Sequence, residues 1–238
     1  MASKRLLDEL VARFPGFTRE QLHARILCGE IYVDNASIRD PRLPVAPGSK
    51  VELREARFVG RGGEKLDFAL DYFGVDASDR VWLDAGASTG GFTDCLLQRG
   101  ASYVHAVDVG TNQLAYSLRR DSRVHVMERT NLLAVDRLEP PAHAAVADLS
   151  FRSISGAAEH LLSLTESGTA LILVKPQFEW ANPPAEFSGT VPDAQAEVIL
   201  QQTLDLLRDG GIEVLGTCES PIRGRKGNRE FFARICRA

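Results

Sequence analysis

The sequence predicts an α/β protein: a mostly parallel sheet covered by helices on both faces, ended by an antiparallel hairpin, and preceded by a small α+β module. Three observations carry this. From residue 64 onward short apolar runs alternate with helix-patterned segments, as in βαβ units. The last two runs, 211–217 and 230–236, leave no room for a helix between them, so they pair as a hairpin. Residues 1–57 follow another pattern, two helical stretches and short strands broken by prolines.

Taken in order, residues 4–13 put Leu6, Leu7, Leu10 and Val11 on one side of a helix. Thr18 with Gln21 three positions later has capping-box spacing. That second helix carries Leu22, Ile26 and Leu27 inward and stops at Gly29. Residues 31–35 read as strand and turn, and 51–53 as a last short strand. The expected boundaries are a first domain at 1–57, a glycine-rich linker at 58–63 and a second domain at 64–238. In the second domain, helices are expected at 64–73, 91–99, 112–119, 153–164 and 192–208. Seven strands are expected at 80–85, 103–108, 124–127, 143–148, 169–175, 212–218 and 229–236.

The chain has 238 residues and a net charge of −4. No apolar run approaches the ~18–20 residues that span a bilayer, and the N-terminus lacks the apolar core of a signal peptide. The four cysteines, Cys28, Cys95, Cys218 and Cys236, are scattered, which reads as reduced thiols in a cytoplasmic protein. They and the five histidines show no metal-ligand spacing, so no metal is expected. Charge is segregated. Residues 1–57 carry 10 basic against 8 acidic groups and residues 219–238 carry 6 against 2, while 58–218 carry 12 against 22. Basic ends that met near one cleft would form a local positive surface, and chance segregation is the plain alternative. The sequence is silent on oligomeric state.

The stretch Trp82-Leu83-Asp84-Ala85-Gly86-Ala87-Ser88-Thr89-Gly90-Gly91-Phe92-Thr93-Asp94 is an apolar strand, a small-residue turn and a helix start. Such a turn lets a ligand approach the backbone, and the helix N-terminus favours a polar or anionic group. A second apolar run ends at Asp108, 22 positions after Gly86, close to the ~20-residue offset at which a carboxylate holds ribose hydroxyls. Ser88 breaks the G-x-G-x-x-G pattern and no G-K-[ST] follows. The expected cofactor is therefore a nucleoside without a pyrophosphate, S-adenosyl-L-methionine being the commonest. Asp84, Gly86, Ala87, Ser88, Thr89, Gly90 and Gly91 are expected around its methionine part and Asp108 at its ribose. Asn131 either approaches the adenine or stabilises its own turn. Asp84, Asp108, Asp148 and Lys175 all fall at strand ends on one side of the sheet, where ligands bind in such folds.

Gly62-Gly63-Glu64-Lys65-Leu66, the loop from Asp84 to Cys95, Ala106-Val-Asp-Val-Gly110, Glu128-Arg-Thr-Asn131, Asp148-Leu-Ser-Phe151, Val174-Lys-Pro-Gln-Phe-Glu179 and Gly227-Asn-Arg-Glu230 together resemble the TlyA family. The resemblance covers essentially the whole chain. It departs at Gly60, where many members have Ser, at Arg152, where Ile is usual, and at Thr111-Asn112, where an aromatic is common. It implies a Rossmann-like methyltransferase domain of FtsJ type behind a module like the RNA-binding domain of ribosomal protein S-four. The implied activity is S-adenosylmethionine-dependent 2′-O-ribose methylation of ribosomal RNA at cytidine, with ribosomal RNA or subunits as partners; the residues themselves supply no amphipathic insertion element longer than ordinary core helices, so no stable membrane association is expected. It also implies a catalytic tetrad of Lys65, Asp148, Lys175 and Glu230.

A ribose hydroxyl is a poor nucleophile that must be aligned with the methyl donor and lose its proton. A lysine serves as base only when neutral, and adjacent carboxylates favour its charged form, so Lys175 is expected to orient the hydroxyl at least as much as to deprotonate it. Singly, Lys65 reads as a solvated helix lysine, Asp148 as a turn cap and Glu230 as an edge charge. Lys175 directly follows a buried strand and is harder to explain that way. Arg5, Arg19, Arg25 and Arg61 are the expected RNA contacts, with His23 and Arg39 beside them. Asn182-Pro183-Pro184 is followed by Ala185 rather than an aromatic and reads as loop. Two other functions stay open: a non-catalytic RNA- or ribosome-binding protein, which would fail to bind S-adenosylmethionine, and a membrane-lytic haemolysin, which would leak liposomes.

Overall fold

The structure, a computed structural model, describes residues 4–53, 57–150 and 153–238. Phe151 and Arg152 of the Asp148 motif lie outside the described residues, as does the side chain of Cys28. The chain divides into two compact units, Met1–Arg57 and Phe58–Ala238.

In the first unit, β1 (Lys4–Arg5) leads into α1 (Leu6–Arg13), followed by α2 (Arg19–Cys28), β2 (Ile31–Val33), β3 (Ala36–Ile38), β4 (Pro44–Val45) and β5 (Val51–Leu53). The capping box at Thr18 and Gln21 is formed, and Gly29 ends α2 in the left-handed region at φ 80°. β2 pairs antiparallel with β3 and β5, and β1 with β4. Leu6, Leu10, Leu22, Ile26 and Ile31 are fully buried at the centre of this module.

The second unit contains α3 (Arg61–Phe73), β6 (Val81–Ala85), α4 (Gly91–Gln98), β7 (Tyr103–Val107), α5 (Tyr116–Arg119), β8 (Val124–Met127), β9 (Ala144–Ala147), α6 (Ser155–Ser163), β10 (Thr169–Val174), α7 (Pro176–Glu179), α8 (Asp193–Asp209), β11 (Ile212–Glu219) and β12 (Phe231–Arg237). One seven-stranded sheet runs β11-β12-β10-β9-β6-β7-β8. β8, β7, β6, β9 and β10 are parallel, and β12 lies antiparallel between β10 and β11. One face is covered by a core that includes α6 and α8, the other by a core that includes α3 and α4. From β6 the chain steps outward to β7 and β8, then returns to β9 on the opposite side. That reversal opens a crevice beyond the C-terminal ends of β6 and β9.

Three expectations change. Leu27 of α2 is exposed and not turned inward with Leu22 and Ile26. The stretch 58–63 is not a linker. Phe58 is buried, and Arg61, Gly62 and Gly63 form the first turn of α3. These glycines serve close packing: a Cβ on Gly63 would lie 2.3 Å from the Phe58 ring, and one on Gly91 would lie 2.9 Å from the Gly63 nitrogen. The helix expected at 112–119 begins only at Tyr116. Asn112 sits at φ 55°, and the backbone amides of Asn112, Gln113 and Leu114 donate to the Glu128 carboxylate. The Arg119 guanidinium on the same group, helped by those amides, holds the Glu128 carboxyl down at about 2.

Candidate active site

The turn after β6 is shaped by left-handed residues: Gly86 at φ 85°, Ser88 at 49° and Gly90 at 96°. Their reasons differ. A Cβ on Gly86 would lie 2.6 Å from the Asp148 carbonyl oxygen, so this glycine lets the loops after β6 and β9 touch. A Cβ on Gly90 would meet Leu118 at 2.2 Å, which makes Gly90 a packing residue. Asp108 follows β7, and its carboxylate accepts the Ser88 amide at 2.8 Å and the Gly110 amide at 2.6 Å. Asn131 accepts the Leu133 amide and so starts a single 3-10 turn, Leu132–Ala134.

These loops line a cavity of about 490 Å³ whose walls include Gly86, Ser88, Asp108, Gln113, Asn131, Asp148, Leu149 and Ser150. A smaller one of about 100 Å³ adjoins Gly86, Ala87, Ser88, Thr89, Gly91 and Asp148. Seven of the nine expected cofactor residues therefore line one cavity or the other. Gly90 and Asp84 do not. Asp84 is 0% exposed, accepts the Thr93 hydroxyl at 2.6 Å and leaves Oδ1 without a partner. Burial, with Asp148 and Asp108 nearby, raises its carboxyl to about 7. Gln113, whose side chain accepts the Ser88 hydroxyl, is a wall residue that the sequence reading missed.

The four tetrad positions assemble as two ion pairs. Lys65 Nζ of α3 meets Glu230 Oε2 at 2.5 Å, and Lys175 Nζ meets Asp148 Oδ1 at 2.6 Å. The second contact is a charge pair rather than a directed hydrogen bond, since Asp148 Oδ1 has no hydrogen-bond partner. The directed bond from Lys175 goes to Ser150 Oγ at 2.9 Å. Register brings the pairs together: Val174 is opposite Phe231, so the next positions on each strand, Lys175 and Glu230, flank one another at the same sheet end. Asp148 follows β9, and its amide donates to Ala85 of β6. Lys65, Lys175 and Glu230 are 7%, 8% and 3% exposed. A buried charge persists where it is paired, and both pairs meet that condition.

In the first unit, Arg5, Arg19, His23 and Arg42 line a surface concavity of about 320 Å³ together with Asp8. Arg19 pairs with Asp8 at 2.8 Å. Arg25 is drawn inward instead, to Glu30 at 2.7 Å and over the Phe17 ring. Arg61 is the exposed first residue of α3. Arg42 went unnoticed in the sequence because only the fold brings it beside Arg5. Among the described residues no group of His, Cys, Asp or Glu is arranged to hold a metal ion, and no helix is long and apolar enough to cross a membrane.

A Rossmann-like sheet with a glycine turn over a cavity and two lysine–carboxylate pairs at the same sheet end is the framework of a methyltransferase. Comparison with known proteins bears this out: a family profile described as FtsJ-like methyltransferase matches residues 58–236. Hemolysin A of Brachyspira hyodysenteriae is 36% identical over 236 residues, covering 95% of this chain and 98% of that protein. The 16S/23S rRNA (cytidine-2′-O)-methyltransferase TlyA of Mycobacterium tuberculosis is 37% identical over 242 residues, covering 98% of this chain and 90% of that one. A solved hemolysin-type structure from Streptococcus thermophilus superposes with a TM-score of 0.75 at 36% identity, covering 100% of this chain and 90% of that chain. The chain belongs to the FtsJ-like methyltransferase family, in its TlyA branch.

Proposed function

We propose that this enzyme transfers a methyl group from S-adenosyl-L-methionine to a ribose 2′-oxygen of ribosomal RNA, at cytidine. The observation that carries the proposal is the convergence of Lys65, Asp148, Lys175 and Glu230 from four distant segments onto one sheet end, beside the cavity. The cavity suits the cofactor: Asp108 keeps lone pairs for ribose hydroxyls after accepting two amides, and the Gly86 turn leaves no side chain between loop and ligand. When bound, S-adenosylmethionine supplies an electrophilic methyl carbon.

The chain's own residues supply alignment and charge. Asp148 lines both cavities, so the Lys175–Asp148 pair faces the reacting groups. Lys175 directs an N–H not taken by Ser150 toward the acceptor hydroxyl. The deeper Lys65–Glu230 pair fixes the surrounding field. Orienting a hydroxyl for in-line attack supplies several kcal/mol of barrier reduction, and transfer of its proton to the Asp148 carboxylate at the cavity wall adds roughly 10²–10⁴ in rate. Arg5, Arg19, Arg42 and Arg61 offer phosphate contacts, which position RNA without reading sequence. Such a substrate places the working protein with ribosomes in the cytoplasm.

The test is to incubate the pure protein with S-adenosylmethionine and unmethylated ribosomal subunits, then map ribose methylation by resistance to alkaline cleavage. New protected cytidines support the proposal. Absence of both cofactor binding and RNA methylation favours a binding protein instead.

A further inference from the structure

Between β9 and α6, the described residues on either side of 151–152 are both fastened to one short segment. At its start, Lys175 Nζ holds Asp148 at 2.6 Å and Ser150 Oγ at 2.9 Å. At its end, the Glu179 carboxylate accepts the Ser153 hydroxyl at 2.6 Å and the Ile154 amide at 2.9 Å. Ser153 Oγ also accepts the Ser155 amide at 3.3 Å, which ties the clamp to the first turn of α6. Lys175 caps α7 and Glu179 is its last residue. Four residues apart, they lie on one side of that turn, and Pro176 fixes the backbone where it begins.

We infer that Glu179 is a positioning residue for methyl transfer, acting through the β9–α6 connection to keep Asp148 and Ser150 on Lys175. The inference rests on the reading of Lys175 as the residue that orients the acceptor hydroxyl. The reason is donor geometry. An ammonium has three N–H groups. Ser150 takes one as a directed hydrogen bond and Asp148 draws the head group by charge, and together they set where the remaining N–H groups point. Both partners sit on the connection that Glu179 anchors. Once that anchor is gone, the Ser153 hydroxyl and the Ile154 amide lose their acceptor, and the aim of the free Lys175 N–H groups loosens. Glu179 itself is mostly withdrawn from water, and its carboxyl is raised by that burial and lowered by Ser153 and Ile154. A misplacement of about 1 Å at a reacting pair costs on the order of 10²-fold in rate.

The test compares Glu179→Ala, Glu179→Gln, Ser153→Ala and Lys175→Ala. Single-turnover methyl transfer is followed with tritiated S-adenosylmethionine and unmethylated ribosomal subunits. Amide exchange at Ile154 is followed without cofactor or RNA. Glu179→Ala is expected to lose about 10- to 100-fold in single-turnover rate and to raise exchange at Ile154 by about tenfold. Glu179→Gln keeps an acceptor for the Ile154 amide and offers Ser153 an amide donor, so it should restore both readouts to within about threefold. The double variant with Ser153→Ala should be no slower than Glu179→Ala alone, because both remove one clamp. A Glu179→Ala rate within about twofold of wild type, with Lys175→Ala inactive, overturns this inference and leaves the site reading intact. Turnover by Lys175→Ala overturns the site reading and this inference with it. Should Glu179→Ala fail to fold, Ser153→Ala carries the test, and a wild-type rate there overturns the inference.

Discussion

Replacing Asp84 with Asn should change the pH dependence of stability, because the buried carboxyl is held at about 7 against an ordinary value of 3.8. Burial is the main cause, Asp148 and Asp108 push the same way, and the Thr93 hydroxyl opposes them. Between about pH 4 and pH 7 the folded state keeps a proton that the unfolded state has released. Stability from this group is therefore full below pH 4, falls as pH rises through that window, and levels off above 7. Three units at ~1.4 kcal/mol each set a ceiling of about 4 kcal/mol. Asn is neutral at every pH and can still accept from Thr93. The free-energy difference between Asp84→Asn and wild type should therefore move in the variant's favour by up to about 4 kcal/mol from pH 4 to pH 8. Chemical denaturation across that range measures it. A difference that stays constant within about 0.5 kcal/mol would refute the reasoning, since independent surface changes stay within that band.

Gly86→Ala places a Cβ against the Asp148 carbonyl at positive φ, and should cost about 2–4 kcal/mol while lowering turnover of the folded fraction by displacing Asp148. Gly90→Ala meets only Leu118 and Leu114 side chains, so its turnover should fall less; equal losses measured at matched folded fraction contradict this. Arg5→Ala and Arg42→Ala should each lower the slope of log affinity for ribosomal RNA against log salt by about 0.7–0.9. Arg25→Ala, already paired with Glu30, should lower it less, and anisotropy titrations showing equal slopes would argue against the concavity as a phosphate site.

Much of the fold is legible because its signals are local. The acid-ended apolar runs, the Thr18 capping box and the close spacing of the last two strands each follow from a few adjacent residues. The helix expected at 112–119 fails for a reason that is not local: Asn112 is held at a left-handed φ while its loop amides bind Glu128, and the Ala115 amide, which a helix from 112 would have used, donates to Thr89, 26 positions away. The glycines at 60, 62 and 63 suggest a hinge by composition, yet they let α3 approach α4, which only packing reveals. The tetrad was legible through family resemblance and not through spacing, since its members lie in four separate segments. Glu179 and Ser150 stood inside quoted motifs, and the four-residue step from Lys175 to Glu179 was the available signal for the first. Arg42 left none.

The most direct measurement of the whole account is single-turnover ribose methylation by Lys175→Ala, with cofactor affinity measured on the same preparation. The account predicts a rate loss of about a hundredfold or more, with S-adenosylmethionine bound within a few-fold of wild type. A variant that binds the cofactor and still methylates ribosomal RNA at nearly the wild-type rate would contradict it.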